Sequence, residues 1–178
     1  GNVIKELDGL AAVKLYEDYF AKNTPDLAKE LRRISIFYPL GIYLPGEKEY
    51  LLRNIISIKD DGSLVTRGDI PQNSKIRLMI STEDSRLAAA AAACEEAKIN
   101  LGTQKIKFLI VFDSAARSLI HGRRNDAELR VIKEAFGEDT PLIGIYTNGE
   151  QAPLESINYL GRTYFHNQSI NILAIGEQ

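Results

Sequence analysis

Apolar residues recur at helical spacing in four stretches of this chain and alternate or cluster in the intervals between them. Asp8 stands ahead of Leu10, Val13, Tyr16 and Phe20, a capping residue followed by a helical stripe. Thr24-Pro25 opens a second helix with proline in its first turn, and Leu27 and Leu31 face inward as far as Arg32-Arg33. From Glu83 to Leu101 alanine dominates, the residue with the strongest intrinsic preference for helix. There Leu87, Ala91, Cys94, Ala97 and Leu101 fall on one face. Asn125 or Asp126 caps a fourth helix that carries Leu129, Ile132 and Phe136 and stops at Gly137.

Strands fill the gaps. Residues 34–38 read as a strand that breaks at Pro39-Leu40-Gly41. Residues 50–58, the Asp60-Asp61-Gly62 turn and residues 64–66 read as a hairpin. Ile76, Leu78 and Ile80 alternate with polar neighbours, the pattern of a sheet with one wet face. Residues 106–112 are almost wholly apolar and belong at a sheet centre, and residues 141–146 and 164–175 complete the set. The pattern predicts an α+β fold, a mixed and largely antiparallel sheet with about four packing helices. It predicts one domain over residues 2–178.

Composition narrows the function. The 178 residues carry 22 basic and 24 acidic side chains, a net charge of −2, which speaks against a dedicated nucleic-acid surface. No apolar run approaches the length of a membrane helix, and a single cysteine, Cys94, forms neither an internal disulfide nor a cysteine-rich metal site. Together these predict a cytoplasmic location with no membrane partner. Gly1 at the start and Met79 as the sole methionine predict an excised piece of a longer protein, with Gly1 foreign to the fold.

Three clusters hold more polar function than folding needs. Asp113-Ser114-Ala115-Ala116-Arg117 follows the central strand, where loops of an open sheet converge on ligands. Arg117 there suits a carboxylate or phosphate, or else pairs with Asp113 or a surface carboxylate. Gly144-Ile145-Tyr146-Thr147-Asn148-Gly149-Glu150 runs a strand into an Asn-Gly hairpin signal and then a carboxylate. His166-Asn167-Gln168-Ser169 opens the last strand with four polar side chains. If Arg117 and Glu150 face a common cleft they complement the carboxylate and ammonium of a free amino acid; alternatively they brace two loops as an ion pair. Tyr146 would add an apolar wall, and Thr147, Ser114 and Asn167 neutral hydrogen bonds.

These clusters carry a family resemblance, together with Val3-Ile4-Lys5-Glu6-Leu7-Asp8-Gly9, Leu15-Tyr16-Glu17-Asp18-Tyr19, Tyr38-Pro39-Leu40-Gly41-Ile42, Leu52-Arg53 and Asp61-Gly62-Ser63-Leu64. In this order they resemble the C-terminal half of the FIST (F-box and intracellular signal transduction) sensor region. The resemblance implies a sensory input domain that binds a small ligand, amino acids among those expected. Its parent would be a signalling protein such as a histidine kinase, diguanylate cyclase or chemoreceptor. The implied partners are the N-terminal FIST half and the parent's output domain. The candidate ligand-binding residues, taken from the three polar clusters, are Ser114, Arg117, Tyr146, Thr147, Asn148, Glu150, His166 and Asn167. Two positions depart from the family pattern. Ser114 stands where cysteine is usual, which removes thiol chemistry there, and Ser169 stands where threonine is usual.

No catalytic set is legible. Neither His121 nor His166 has the neighbours of a zinc site, no cofactor motif is present, and His121-Gly122-Arg123-Arg124 reads as a solvated loop. Ser114 lacks the glycines of a nucleophile elbow, although a Ser114–His166–Glu150 triad is conceivable. The fragment is therefore expected not to be an enzyme. The alternatives are a non-catalytic protein-interaction adaptor and a serine-dependent hydrolase. An adaptor would show a large exposed apolar patch.

Overall fold

The structure is a computed structural model that describes residues 1–124, 126–157 and 161–177, with the backbone alone at residue 123. It is an α+β chain, and it divides into two compact units, Gly1–Ile80 and Ser81–Gln178. No helix among the described residues is long and apolar enough to cross a membrane.

In the first unit, β1 (Val3–Ile4), β7 (Leu64–Thr66) and β6 (Ile55–Ile58) form one antiparallel sheet. The β6–β7 hairpin forms as its turn residues predict. Gly1 takes part as well, since its carbonyl accepts the amide of Ile70 at 2.9 Å. Asp8 is not a helix cap. With Gly9 it has positive φ and turns the short hairpin β2 (Glu6–Leu7) to β3 (Leu10–Ala11), the conformation that Asp-Gly adopts most readily. Helix α1 starts only at Lys14 and runs to Phe20. Helix α2 (Thr24–Phe37) is capped by Asn23 and has Pro25 in its first turn.

Residues 34–37, expected in a strand, belong to α2. Ile34 continues the spacing of Leu27 and Leu31 into the buried core with Tyr16, Leu40 and Leu64, and Pro39 then restricts its predecessor to non-helical backbone. Residues 50–58 are likewise two strands. Asn54 separates β5 (Leu51–Arg53) from β6, and β5 joins β4 (Leu40–Tyr43) and β8 (Lys75–Leu78) in a second sheet of order β5-β4-β8.

The second unit begins with α3 (Glu83–Leu101), closed at its start by a capping box between Thr82 and Ser85. Its buried face is Arg86, Ala90 and Cys94, while Ala91 is exposed. The face is turned from the expected one because the Arg86 guanidinium finds partners inside. Strand β9 (Lys105–Ser114) is central, between β10 (Leu142–Thr147), which is parallel to it, and β13 (Ile170–Glu177), which is antiparallel. Leu109 and Val111 of β9 point to one side, where α3 and α5 (Ala127–Phe136) cover them through Ala90, Cys94 and Ile132. Of the two capping residues proposed for α5, Asp126 precedes it without a side-chain capping bond, and Asn125 lies outside the described residues.

Two further departures shape the site. Residues 115–121 form a helix, α4 (Ala115–His121), and a single tight turn follows over residues 122–124. Residues 164–175 are two strands in different sheets: β12 (Tyr164–His166) pairs with β11 (Glu150–Ala152), and β13 starts afresh at Ile170. Gln168, with φ of 62°, makes the corner between them.

Candidate functional site

The polar residues at the end of β9 fall on opposite faces of the sheet, because successive strand residues alternate. Asp113 shares its face with Leu109 and Val111, the helix-covered side, whereas Ser114 shares the other face with Phe112. Each face carries its own cluster.

On the helix side Arg117 is the hub. Its Nε donates to Glu128 Oε1 at 2.8 Å and its Nη2 contacts the same oxygen. Nη2 also donates to the Arg86 carbonyl at 2.9 Å, and Nη1 to the Gln168 carbonyl at 3.2 Å. Asp113 Oδ1 lies 3.5 Å from Nε, beyond a good hydrogen bond, and this buried oxygen has no hydrogen-bond partner. Burial, reinforced by the charge of Glu128, pushes the Asp113 carboxyl up to about 7 despite Arg117.

His121 corrects the expectation of a solvated loop. Its side chain is 1 % exposed, held one helical turn beyond Arg117 against Glu128 and Arg86. His121 Nε2 lies 3.2 Å from Glu128 Oε2 and 3.3 Å from Arg86 Nε, so one nitrogen faces both an acceptor and a donor. Its Nδ1 is buried without a partner. Burial depresses the imidazole, Glu128 opposes that, and Arg86 and Arg117 add to it.

On the other face Glu150 is the hub. Thr147 Oγ1 contacts Glu150 Oε1 and also lies 3.2 Å from the Asp113 carbonyl, one hydroxyl proton between two acceptors. Ser169 Oγ donates to Glu150 Oε2 at 2.9 Å, and Asn171 Nδ2 donates to Ser169 Oγ at 3.1 Å. The Ser114 amide donates to the Ser169 carbonyl at 3.0 Å and ties this loop to the end of β9. Asn148-Gly149 is not a hairpin turn. It passes the chain from β10 to β11, which pairs with β12 rather than β10. Glycine fits there because a Cβ at Gly149 would overlap the Phe165 ring.

The structure thus brings Thr147, Glu150, Ser169 and Asn171 together beside Ser114. Arg117 and Glu150 form no ion pair; the carboxylates of Arg117 are Glu128 and Asp113. Glu150 is buried and in register with His166 across β11–β12. His166 Nε2 donates to the Ala152 carbonyl at 2.9 Å, and Asn167 Nδ2 to the His166 carbonyl at 2.9 Å. Both oxygens of Glu150 accept from hydroxyls, those of Thr147 and Ser169. Tyr146 and Asn148 are exposed, with Tyr146 beside Asp113 in register.

Glu128, Arg86 and His121 were not legible as parts of this region. A signal existed in the spacing of Arg117 and His121, four residues apart on one helical face, and in an arginine at the head of a run of alanines.

The Ser114 face of the sheet is apolar and uncovered. Along β10 and β13, Ile143, Ile145, Leu173 and Ile175 are 50 %, 47 %, 53 % and 43 % exposed, flanking Ile110 and Phe112 of β9. The Thr147–Glu150–Ser169–Asn171 chain borders this face at the end of β9.

The model of the FIST C domain matches residues 12–153. The chain belongs to the FIST C family. No curated protein and no solved structure matches it. FIST C is a family of sensory domains in signal transduction and not a known catalytic one.

Proposed function

We propose that this FIST C domain binds a small polar ligand, an amino acid foremost, at the Glu150 end of its uncovered sheet face. The N-terminal FIST half would complete the site from above. The observation that carries this reading is the pairing of a bare apolar face with a buried carboxylate at its rim. Monomeric domains rarely leave such a face open, and it supplies the dry wall that makes a charged contact strong. Glu150 would receive the ligand's ammonium, while Thr147, Ser114, Asn167 and the exposed Asn148 set its polar rim; Tyr146, in register with Asp113, stands on the opposite face of the sheet and is left out of the site. His166 holds β11 in place. Arg117 supports the site from beneath, since its bond to the Gln168 carbonyl fixes the corner that delivers Asn167 and Ser169. The output domain, whether kinase, cyclase or chemoreceptor, would read the ligand through the covering half. The region is taken to work inside the cell without a cofactor.

Calorimetry of amino acids on the whole parent chain tests this. Saturable binding that Glu150→Gln weakens at least tenfold is expected, and unchanged affinity overturns the assignment. The adaptor reading has one observation in its favour, the apolar sheet face itself. It predicts that a protein partner covers the face equally well with and without added amino acid.

A further inference from the structure

The geometry points to a second ligand site, in the first unit, that takes a small planar anion: an aromatic ring bearing a carboxylate or a phosphate. Register places it. Leu40, Ile42, Leu51 and Ile76 turn one face of the β5-β4-β8 sheet into the core. The alternate residues Gly41, Tyr43, Leu52, Lys75 and Arg77 stand on the outer face, with Tyr50 beside Tyr43. Tyr43, Tyr50, Lys75, Ile76 and Arg77 line a hollow of about 260 Å³ there. That volume falls just below the usual range for drug-sized ligands, which limits the occupant to about one ring and its charged group.

The chemistry of the lining is one-sided. Lys75 and Arg77 are exposed, and neither has a carboxylate partner among the described residues. The Tyr43 and Tyr50 rings lie 6.3 Å apart at 58°, a tilted pair in contact rather than a parallel stack. Arg77 Cζ is 5.6 Å from the Tyr50 ring centroid, which aligns the guanidinium beside an aromatic face. A flat ring seated in the hollow against this pair gains aromatic contact, and its anionic group meets two uncompensated cations. Gly41 makes room for this arrangement: a Cβ there would fall 2.7 Å from Met79 Cγ and 3.3 Å from Tyr50 Cβ. Two bare cations side by side on a sheet edge repel one another and add nothing to folding, so an anion is what the surface accommodates best.

Amide chemical shifts of the chain, followed during titration with benzoate, phenyl phosphate, inorganic phosphate and benzyl alcohol, test the assignment. Benzoate or phenyl phosphate should move the amides of residues 43, 50 and 75–77 at millimolar concentration, and the stronger of the two identifies the head group. Lys75→Gln with Arg77→Gln, both exposed changes, should weaken that binding at least tenfold, as should Tyr43→Ala. Inorganic phosphate binding as tightly as phenyl phosphate, benzyl alcohol matching benzoate, no response to either aromatic anion, or full affinity in the double variant would each overturn it. The second unit's sheet takes no part in this experiment, so its outcome is separate from the fate of the Glu150 site.

Discussion

Arg117 and Glu128 form a buried ion pair that joins α4 to α5, and the same guanidinium caps the carbonyls of Arg86 in α3 and Gln168 ahead of β13. One side chain thereby ties four segments of the second unit together. Such a pair adds little net stability when intact, because both ions were desolvated to make it, yet it is expensive to break from one side.

Glu128→Ala should therefore destabilise the chain by about 3–5 kcal/mol, the usual cost of stranding a buried charge. The exposed pair of Arg124 with Glu83 offers the contrast, since Arg124→Ala should leave stability almost unchanged. Urea unfolding of both variants decides the matter. Equal midpoints would mean that the Arg117–Glu128 pair does not hold α4 in place.

Asp113 should make stability depend on pH in the direction opposite to most carboxylates. Its folded value, about 7, lies above the ordinary 3.8, so the fold binds this proton more tightly than the unfolded chain does. Its contribution is complete below about pH 4 and is lost as pH rises toward 7, on the order of a few kcal/mol in all. Asp113→Asn should flatten that slope in unfolding free energies measured between pH 4 and 8. A slope unchanged by the substitution would contradict the burial of its Oδ1.

His121 should act with the reverse sign. Its folded value is depressed, so the fold favours neutral imidazole, and that contribution is present above pH 6.5 and lost as pH falls through the folded value. The His121 ring resonance in the intact chain should stay in its neutral position at a pH where free imidazole is protonated. His121→Gln should remove the acid-side loss, and an ordinary titration of His121 would place the ring in water.

In the first unit Ser35 Oγ accepts the amide of Ile55 at 2.6 Å in a buried setting, tying α2 to the start of β6. Ser35→Ala should cost about 1–3 kcal/mol, because it leaves that amide without a partner. Thermal unfolding, read alongside amide exchange at Ile55, checks both the size and the place of the effect.

The apolar face gives a prediction of a different kind. Ile145→Lys and Leu173→Lys sit at half-exposed positions and should change the chain's own stability by no more than about 0.5 kcal/mol. In the parent protein the same changes should loosen association with the covering N-terminal half at least tenfold, as measured by co-purification or calorimetry of the two halves. Unaltered association would leave this face without the role proposed for it.

The sequence by itself determined the elements whose signals are local. The alanine helix over residues 83–101, the hairpin turn at residues 60–62, the central strand after residue 105 and the stop at Gly137 follow from propensity, turn chemistry and run length, and they appear where expected. The ordered motifs also carried the family. Tertiary structure alone decided which partner each polar group received. Ile34 continued a helix because the core of the first unit offered a place for its side chain, and residues 164–175 broke in two because Gln168 turned the chain from one sheet to another. Arg117 and Glu150 parted company for a similar reason: strand alternation sends neighbours to opposite faces, and only the packed helices reveal which face holds a carboxylate waiting for the arginine. Spacing along a chain sets what is near in sequence, whereas a buried charge is neutralised by what is near in space.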